Sequence, residues 1–259
     1  MGKKIVVVGS SNTDMIIRVP WIPKPGETIL GGKFSTAPGG KGANQAVAAA
    51  RAGGDVAFIA RVGNDMFGSE AIKGFVADEI NIEHVIKDTT DPSGVASIFV
   101  DKNGENSIAV AGGANANLSP ADIEAAEKTI ASADILVMQL EIPIETVTAA
   151  AMMAHAGGVK VILNPAPAQP LTDDLLKIVS ILTPNETEAE LLTGIGVEDE
   201  GDARKAAEAL LGRGVSTVLV TLGENGVIIA TADGMKKVDA FKVDPVDTTA
   251  AGDVFNGAL

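Results

Sequence analysis

The stretch Asp247-Thr248-Thr249-Ala250-Ala251-Gly252-Asp253 holds the residues best suited to moving a charged group. Thr248 or Thr249 can cap a helix whose first turn is 250–253. Small residues leave the N–H groups of that turn bare, and bare N–H groups at a helix start receive an anion such as a transferring phosphoryl. Asp253 then stands beside the anion, placed to take a proton from an attacking hydroxyl. A plain helix start with a favourable acid has the same composition, but Ala-Ala-Gly is a poor opening for stability alone.

A second stretch, Gly39-Gly40-Lys41-Gly42-Ala43-Asn44-Gln45, opens an Ala-rich helix. Its glycines permit close backbone approach, and its free N–H groups can donate to ligand oxygens. It is not a P-loop, because Gly42 stands where Ser or Thr is required, and it is not the dinucleotide G-x-G-x-x-G. An ordinary glycine turn before a helix explains it equally well. Asn12 and Asp14 follow the first strand at alternate positions, where an amide and a carboxylate can clamp vicinal hydroxyls or form an Asx turn. Glu141, after the apolar run 135–138, can accept a sugar hydroxyl or serve as a first-turn acid for the next helix. Asn185 and Glu188 share a helix face. They can organise water around Mg²⁺, which keeps several waters, or form a capping box. Thr221, Gly223 and Gly226 end a strand in a tight turn that can pass nucleotide phosphates or close a hairpin.

Apolar periodicity gives the elements that must position these residues. Strands are expected at 5–8, 15–19, 28–30, 56–62, 95–100 and 107–110, the last two joined by Asn103-Gly104, a hairpin signal. Further strands are expected at 135–139, 160–163, 180–183, 217–221, 226–231 and 236–242. Helices are expected at 41–52, 67–78, 119–131, 143–156, 172–178, 186–193 and 201–213, with a last one starting near Thr249. Alternating strands and helices predict an α/β fold, a mostly parallel central sheet with helices on both faces. The early hairpin-like strands fall outside that rhythm and predict a small separate β-sheet, a lid over one edge.

Composition narrows the function. The 259 residues suit one α/β domain, and 46% hydrophobic content supplies a large core. A net charge of -14 and 3% aromatics argue against nucleic acid, which needs a basic face and stacking rings. With no Cys, thiolate chemistry, disulfides and Cys-based zinc sites are excluded. His84 and His155 fit no metal-ligand spacing. The run 5–8 is too short to span a bilayer, and no long apolar N-terminal stretch suggests a signal peptide. The expectation is a cytoplasmic protein without membrane partners.

Five segments in series carry a resemblance: GGKGANQAVAAARAG at 39–53, MQLE at 138–141, NPAPA at 164–168, TPNETEAELLTG at 183–194 and DTTAAGDVFNGAL at 247–259. Together they resemble the ribokinase family of sugar kinases, which also holds fructokinases and adenosine kinases, from Ile5 to Leu259. The resemblance implies a ribokinase-like fold and transfer of the γ-phosphate of ATP to the 5-hydroxyl of D-ribose. It implies that Asn12, Asp14, Gly40, Lys41, Asn44 and Glu141 hold ribose, that Asp253 is the general base, and that Ala250, Ala251 and Gly252 form the anion hole. Asn185 and Glu188 would organise Mg²⁺ and phosphate, and Thr221, Gly223 and Gly226 would line the ATP site. Asp247 and Thr249 would contribute to a K⁺ site. Ala96, Ile98 and Val110 would lie in a lid, its strands within 12–34 and 94–111, that also forms a homodimer clasp. Relatives in the family continue past 256–259 for a few dozen residues, so the resemblance implies one domain over 1–259, truncated at its C-terminus. The alternatives are a kinase of another sugar or nucleoside, and a sugar-binding fragment without turnover.

Overall fold

The computed structural model describes residues 2–244 and 248–259. The chain begins with β1 (Lys4–Val8), β2 (Asn12–Arg18), β3 (Lys33–Gly39), α1 (Lys41–Arg51), β4 (Asp55–Gly63), α2 (Met66–Ala77) and β5 (Val85–Asp88). A hairpin of β6 (Gly94–Val100) and β7 (Asn106–Ala111) leads to α3 (Pro120–Ala125) and α4 (Glu127–Ala131). The regular alternation follows: β8 (Ile135–Met138), α5 (Ile144–Ala156), β9 (Lys160–Leu163), α6 (Asp173–Leu176) and β10 (Ile181–Leu182). After α7 (Glu186–Thr193) and α8 (Glu200–Gly212) come β11 (Thr217–Thr221), β12 (Val227–Thr231), β13 (Gly234–Val238) and α9 (Ala251–Ala258).

Among the described residues, nine strands form the main sheet in the order β13-β12-β11-β10-β9-β8-β1-β4-β5. The seven from β11 to β5 run parallel; β12 and β13 turn antiparallel at one edge. Period-two geometry explains why these strands read as unbroken apolar runs. Val6 and Val8 enter one core with Leu136, Met138, Val161 and Leu163, whereas Val7, Val137 and Ile162 enter the other. α3 to α8 cover the first face, through residues such as Ile123, Ile130, Val147, Leu175, Leu192 and Leu210. α1 covers the second with Ala43, Ala46 and Ala49, joined by Phe75 of α2, which meets Phe58 edge-on at 5.1 Å.

The remaining four strands form a separate small sheet in the order β3-β2-β6-β7, as the early hairpin-like strands implied. β2 pairs in parallel with β6 and antiparallel with β3. The Asn103-Gly104 turn joins β6 to β7, with Gly104 at φ 85°. Three expectations need correction. Residues 28–30 form no strand: Gly26 and Gly31 take positive φ on either side, and the partner of β2 is 33–39, paired from Lys33↔Arg18 to Gly39↔Asn12. The helix expected over 119–131 divides at Ala126 into α3 and α4. β5, with Lys87 and Asp88 breaking its apolar pattern, gave no strand signal, yet it closes the sheet edge beside β4.

Candidate active site

At the C-terminal ends of the central parallel strands, where ligands bind in open α/β sheets, α1 crosses over the residues following β1. The crossing is very close. The Ala43 N–H donates to the Ser10 carbonyl at 2.8 Å, and the Gly42 N–H to Ser10 Oγ at 3.3 Å. A Cβ on Gly42 would lie 2.5 Å from the Ser10 nitrogen and 2.6 Å from the Gly9 carbonyl carbon. Gly40, at φ 89°, holds a conformation that L-residues avoid. The glycines are therefore required by the crossing itself. Glu141 follows β8 and turns toward this crossing: its Oε2 accepts from Ser10 Oγ at 2.6 Å and from the Lys41 N–H at 2.9 Å. It lies before α5, whose N-cap is Pro143, so it does not serve as a first-turn acid.

Asp14 sits on β2 opposite Ala37, and a side chain on the neighbouring Gly39 would run into its carboxylate. Burial pushes the Asp14 carboxyl above the ordinary carboxylate range, and the negative charge of Glu141 adds to the effect. A raised folded-state value means that ionised Asp14 costs stability at neutral pH, and that this cost disappears as pH falls through the folded value and then the unfolded one. Asp14→Asn is therefore expected to raise Tm at pH 7 and to lose that advantage in acid, measured by thermal melts from pH 7 to pH 3. Asn12 is buried on the same face, its Oδ1 accepting from Asn115 Nδ2 at 2.7 Å.

Asp253 comes to the same helix, α1, from the far end of the sequence. α9 packs on α1 so tightly that a Cβ on Gly257 would stand 2.5 Å from the Gln45 carbonyl oxygen. Asp253 is only 6% exposed. Its Oδ2 accepts from Asn44 Nδ2 at 2.9 Å and its Oδ1 from Gln45 Nε2 at 3.0 Å. Asn44 lies one turn along α1 from Lys41. α1 thus carries both Lys41, whose N–H meets Glu141, and Asn44, whose amide meets Asp253, while the Glu141 charge acts on Asp14. The helix start differs from the expected one. The N-cap of α9 is Ala250, left-handed at φ 59° and without a side-chain cap bond. Thr248 takes part through its carbonyl, which accepts from the Ala251 N–H at 3.2 Å. At Gly252 a Cβ would meet nothing within 4 Å, so the ground beside the helix start is open.

Asn185 and Glu188 form a reciprocal capping box at α7, Asn185 Oδ1 accepting from the Glu188 N–H at 2.8 Å and Glu188 Oε2 from the Asn185 N–H at 2.9 Å. Burial raises the Glu188 carboxyl above its ordinary value, against the Asn185 N–H and the Lys41 charge, which lower it; Asp253 and Glu186 push the same way as burial. The helix-capping pair therefore also belongs electrostatically to the cleft. No group of three or more acidic or His side chains among the described residues could hold a metal directly. A divalent ion would fit here only through water, with Glu188 as the acidic partner, a mode suited to Mg²⁺. Thr221 ends β11, its N–H donating to the Pro184 carbonyl at 2.9 Å. Gly223 and Gly226 both take positive φ, and a side chain on Gly226 would strike the Val238 carbonyl, so the hairpin alone accounts for that glycine. Asp247 lies outside the described residues. Ala96 is buried in the small sheet, Ile98 is half-buried, and Val110 is 56% exposed on β7.

Several polar residues of the site were not singled out in the sequence. Ser10, Gln45, Asn115, Gln139, Asn164 and Asn256 are all buried and hydrogen-bonded. A usable signal existed for two of them: Gln139 and Asn164 each follow directly on an apolar strand, at the sheet end where ligands bind.

A sheet covered on both faces, with a carboxylate held between amides at a helix start and further carboxylates near the C-terminal strand ends, sets out the site of an α/β enzyme. The chain belongs to the pfkB family of carbohydrate kinases, whose family model matches residues 2–259. It is 48% identical to a ribokinase of Haemophilus influenzae, over 100% of this chain and 85% of that protein. It is 41% identical to a deoxyribokinase of Salmonella typhi, over 98% of this chain and 84% of that one. Among solved structures, an Arabidopsis thaliana ribokinase complexed with ribose and ATP superposes with a TM-score of 0.91 at 33% identity, covering 100% of this chain and 85% of that one.

Proposed function

We propose that this chain transfers the γ-phosphate of ATP to the 5-hydroxyl of D-ribose, giving ribose 5-phosphate and ADP. The observation that carries the reading is Asp253, fixed by two amides at the head of α9 beside open ground at Gly252. Whole-length likeness to ribokinases supports the choice of sugar. In the reaction, the sugar oxygen forms a bond to the γ-phosphorus while the bond from that phosphorus to the β-bridging oxygen breaks. The hydroxyl proton passes to Asp253, and ADP leaves with the bridging electrons. Asn12, Asp14, Gly40, Lys41, Asn44 and Glu141 hold the sugar. The N–H groups of Ala250, Ala251 and Gly252 receive the migrating phosphoryl, the Ala251 N–H after release from the Thr248 carbonyl.

ATP would lie along Thr221, Gly223 and Gly226, and Asn185 and Glu188 would hold Mg²⁺ through water, supplying positive charge to offset that of the phosphates. Asp247 and Thr249 contribute to a K⁺ site. The chain is one ribokinase-like domain with the small sheet as its lid. Phe34, Ile108 and Val110 leave apolar surface on that sheet, suited to a homodimer clasp. No helix among the described residues is long and apolar enough to cross a membrane, consistent with a cytoplasmic enzyme.

The deoxyribokinase likeness favours 2-deoxyribose as a second acceptor. A site that hydrogen-bonds the 2-hydroxyl rejects the deoxy sugar by about 10⁴–10⁵ in kcat/KM. Coupled ADP release with ribose, 2-deoxyribose, fructose and adenosine, each with and without K⁺, tests both readings. Ribose is expected to lead the panel and K⁺ to raise its rate. A preference for another acceptor overturns the assignment.

A further inference from the structure

Gln139 takes no direct part in the roles above, yet it is wholly buried, as is Gln45, which holds Asp253. An amide in an apolar interior costs free energy unless it is bonded, and here the bonds run in one direction. Gln139 Nε2 donates to Gln45 Oε1 at 2.7 Å. Gln45 Nε2 then donates to Asp253 Oδ1 at 3.0 Å and to Asn164 Oδ1 at 3.2 Å. Asn164 Nδ2 donates to the Thr183 carbonyl at 3.2 Å, and Thr183 Oγ1 donates to Asn256 Oδ1 at 2.6 Å. Asn256 returns to the helix that bears the carboxylate, donating to the Gly252 carbonyl at 2.8 Å.

The direction leaves one atom unserved. Gln139 Oε1 is the single buried side-chain oxygen or nitrogen without a partner among the described residues, lodged against Gly9. Leaving a buried acceptor unmet costs about 1–3 kcal/mol. Turning Gln139 over does not cure this, because its oxygen would then face the oxygen of Gln45. Turning both over places the Gln45 oxygen against the Asp253 carboxylate and the Asn164 oxygen. The orphaned oxygen at Gln139 is therefore the consequence of giving Asp253 a donor.

We infer that Gln139, acting through Gln45, is a positioning residue for Asp253: it locks the Gln45 amide so that its nitrogen always faces the carboxylate. The inference rests on Asp253 being the base. Gln139 does not touch Asp253 or the open ground beside it, so its effect passes through Gln45.

A double-mutant cycle tests it. Gln139→Met keeps length and apolar fill but removes the donor that holds the Gln45 oxygen, leaving that oxygen unmet and the amide less firmly placed against Asp253. It is expected to lower kcat about tenfold, the order that losing an outer-shell partner costs at metal centres, with KM for ribose within twofold. In an Asp253→Asn background the same change is expected to alter kcat less than twofold, because the aligned group is gone. Unchanged kcat in Gln139→Met, or an undiminished loss in the double variant, overturns the inference. Should Gln139→Met fail to fold, Gln139→Leu, which removes the same donor, enters the same cycle with the same expectations. Near-normal turnover in Asp253→Asn alone points elsewhere, overturning the base and with it the alignment.

Discussion

Asp253→Asn is expected to lower kcat on the order of 10²–10⁴-fold, the usual worth of a positioned base, while KM for ribose stays within a few-fold. The substitution keeps shape and removes the proton acceptor. It also disturbs local bonding. Both carboxylate oxygens accept amide N–H groups, from Asn44 and from Gln45, and the new amide has one oxygen. Gln45 cannot turn while Gln139 holds its oxygen, so the new NH₂ must face Asn44, which can turn its own oxygen inward. One strained or unmet polar contact costs about 1–3 kcal/mol, which lowers Tm by several degrees in a domain of this size. That loss is too small to unfold the protein or to explain the fall in rate. Steady-state kinetics beside a thermal melt and ribose titration calorimetry separates the two effects. Turnover close to that of the parent chain, with Tm preserved, removes Asp253 from the chemistry.

The architecture was legible because both core layers write themselves into the strands. Val6-Val7-Val8, buried alternately on opposite faces, form an interior strand, and the breaks in rhythm marked a small sheet, although its strand β3 (Lys33–Gly39) runs beyond the expected 12–34. Errors fell where a side chain or turn conformation overrode periodicity: glycines with positive φ displaced a strand from 28–30 to 33–39, and Ala126 divided a helix. For the candidate site, sequence reading named the carboxylates and the glycines that lie around α1. It did not find the amides between them, because Gln and Asn inside motifs rich in Ala and Gly have no spacing rule; only the fold brings Gln45, Gln139 and Asn164 around one carboxylate. The capping box at α7 shows a further limit. Asn185 and Glu188 form a reciprocal capping box, yet Lys41 and Asp253 act on the Glu188 charge. A local pattern can thus describe a residue correctly and still miss its place in a site.

Gly42→Ala is expected to damage folding and turnover together. Most helical glycines gain from a methyl group: Gly74, inside α2 with nothing within 4 Å of a built Cβ, should gain about 0.5–1 kcal/mol as Ala. Gly42 has backbone on the other side. Its Cβ would meet the Ser10 nitrogen, the Gly9 carbonyl carbon and the Gly9 Cα at 2.5–2.7 Å, and none of these can rotate away as a side chain could. Relief requires α1 to lift from the end of β1. That movement breaks the Ala43 N–H to Ser10 carbonyl bond and the Lys41 N–H to Glu141 bond. Overpacking of this kind costs about 3 kcal/mol or more, so Tm should fall by roughly 10 °C. Because α1 also carries Asn44 and Gln45, any lift carries the donors of Asp253 with it. The variant should therefore lose kcat as well as stability, even below its Tm, whereas Gly74→Ala should gain stability at constant kcat. Melting curves and ADP-release rates on the two variants measured side by side check this. A Gly42→Ala protein as stable and active as its parent shows that the crossing of α1 over β1 does not set the geometry of the site.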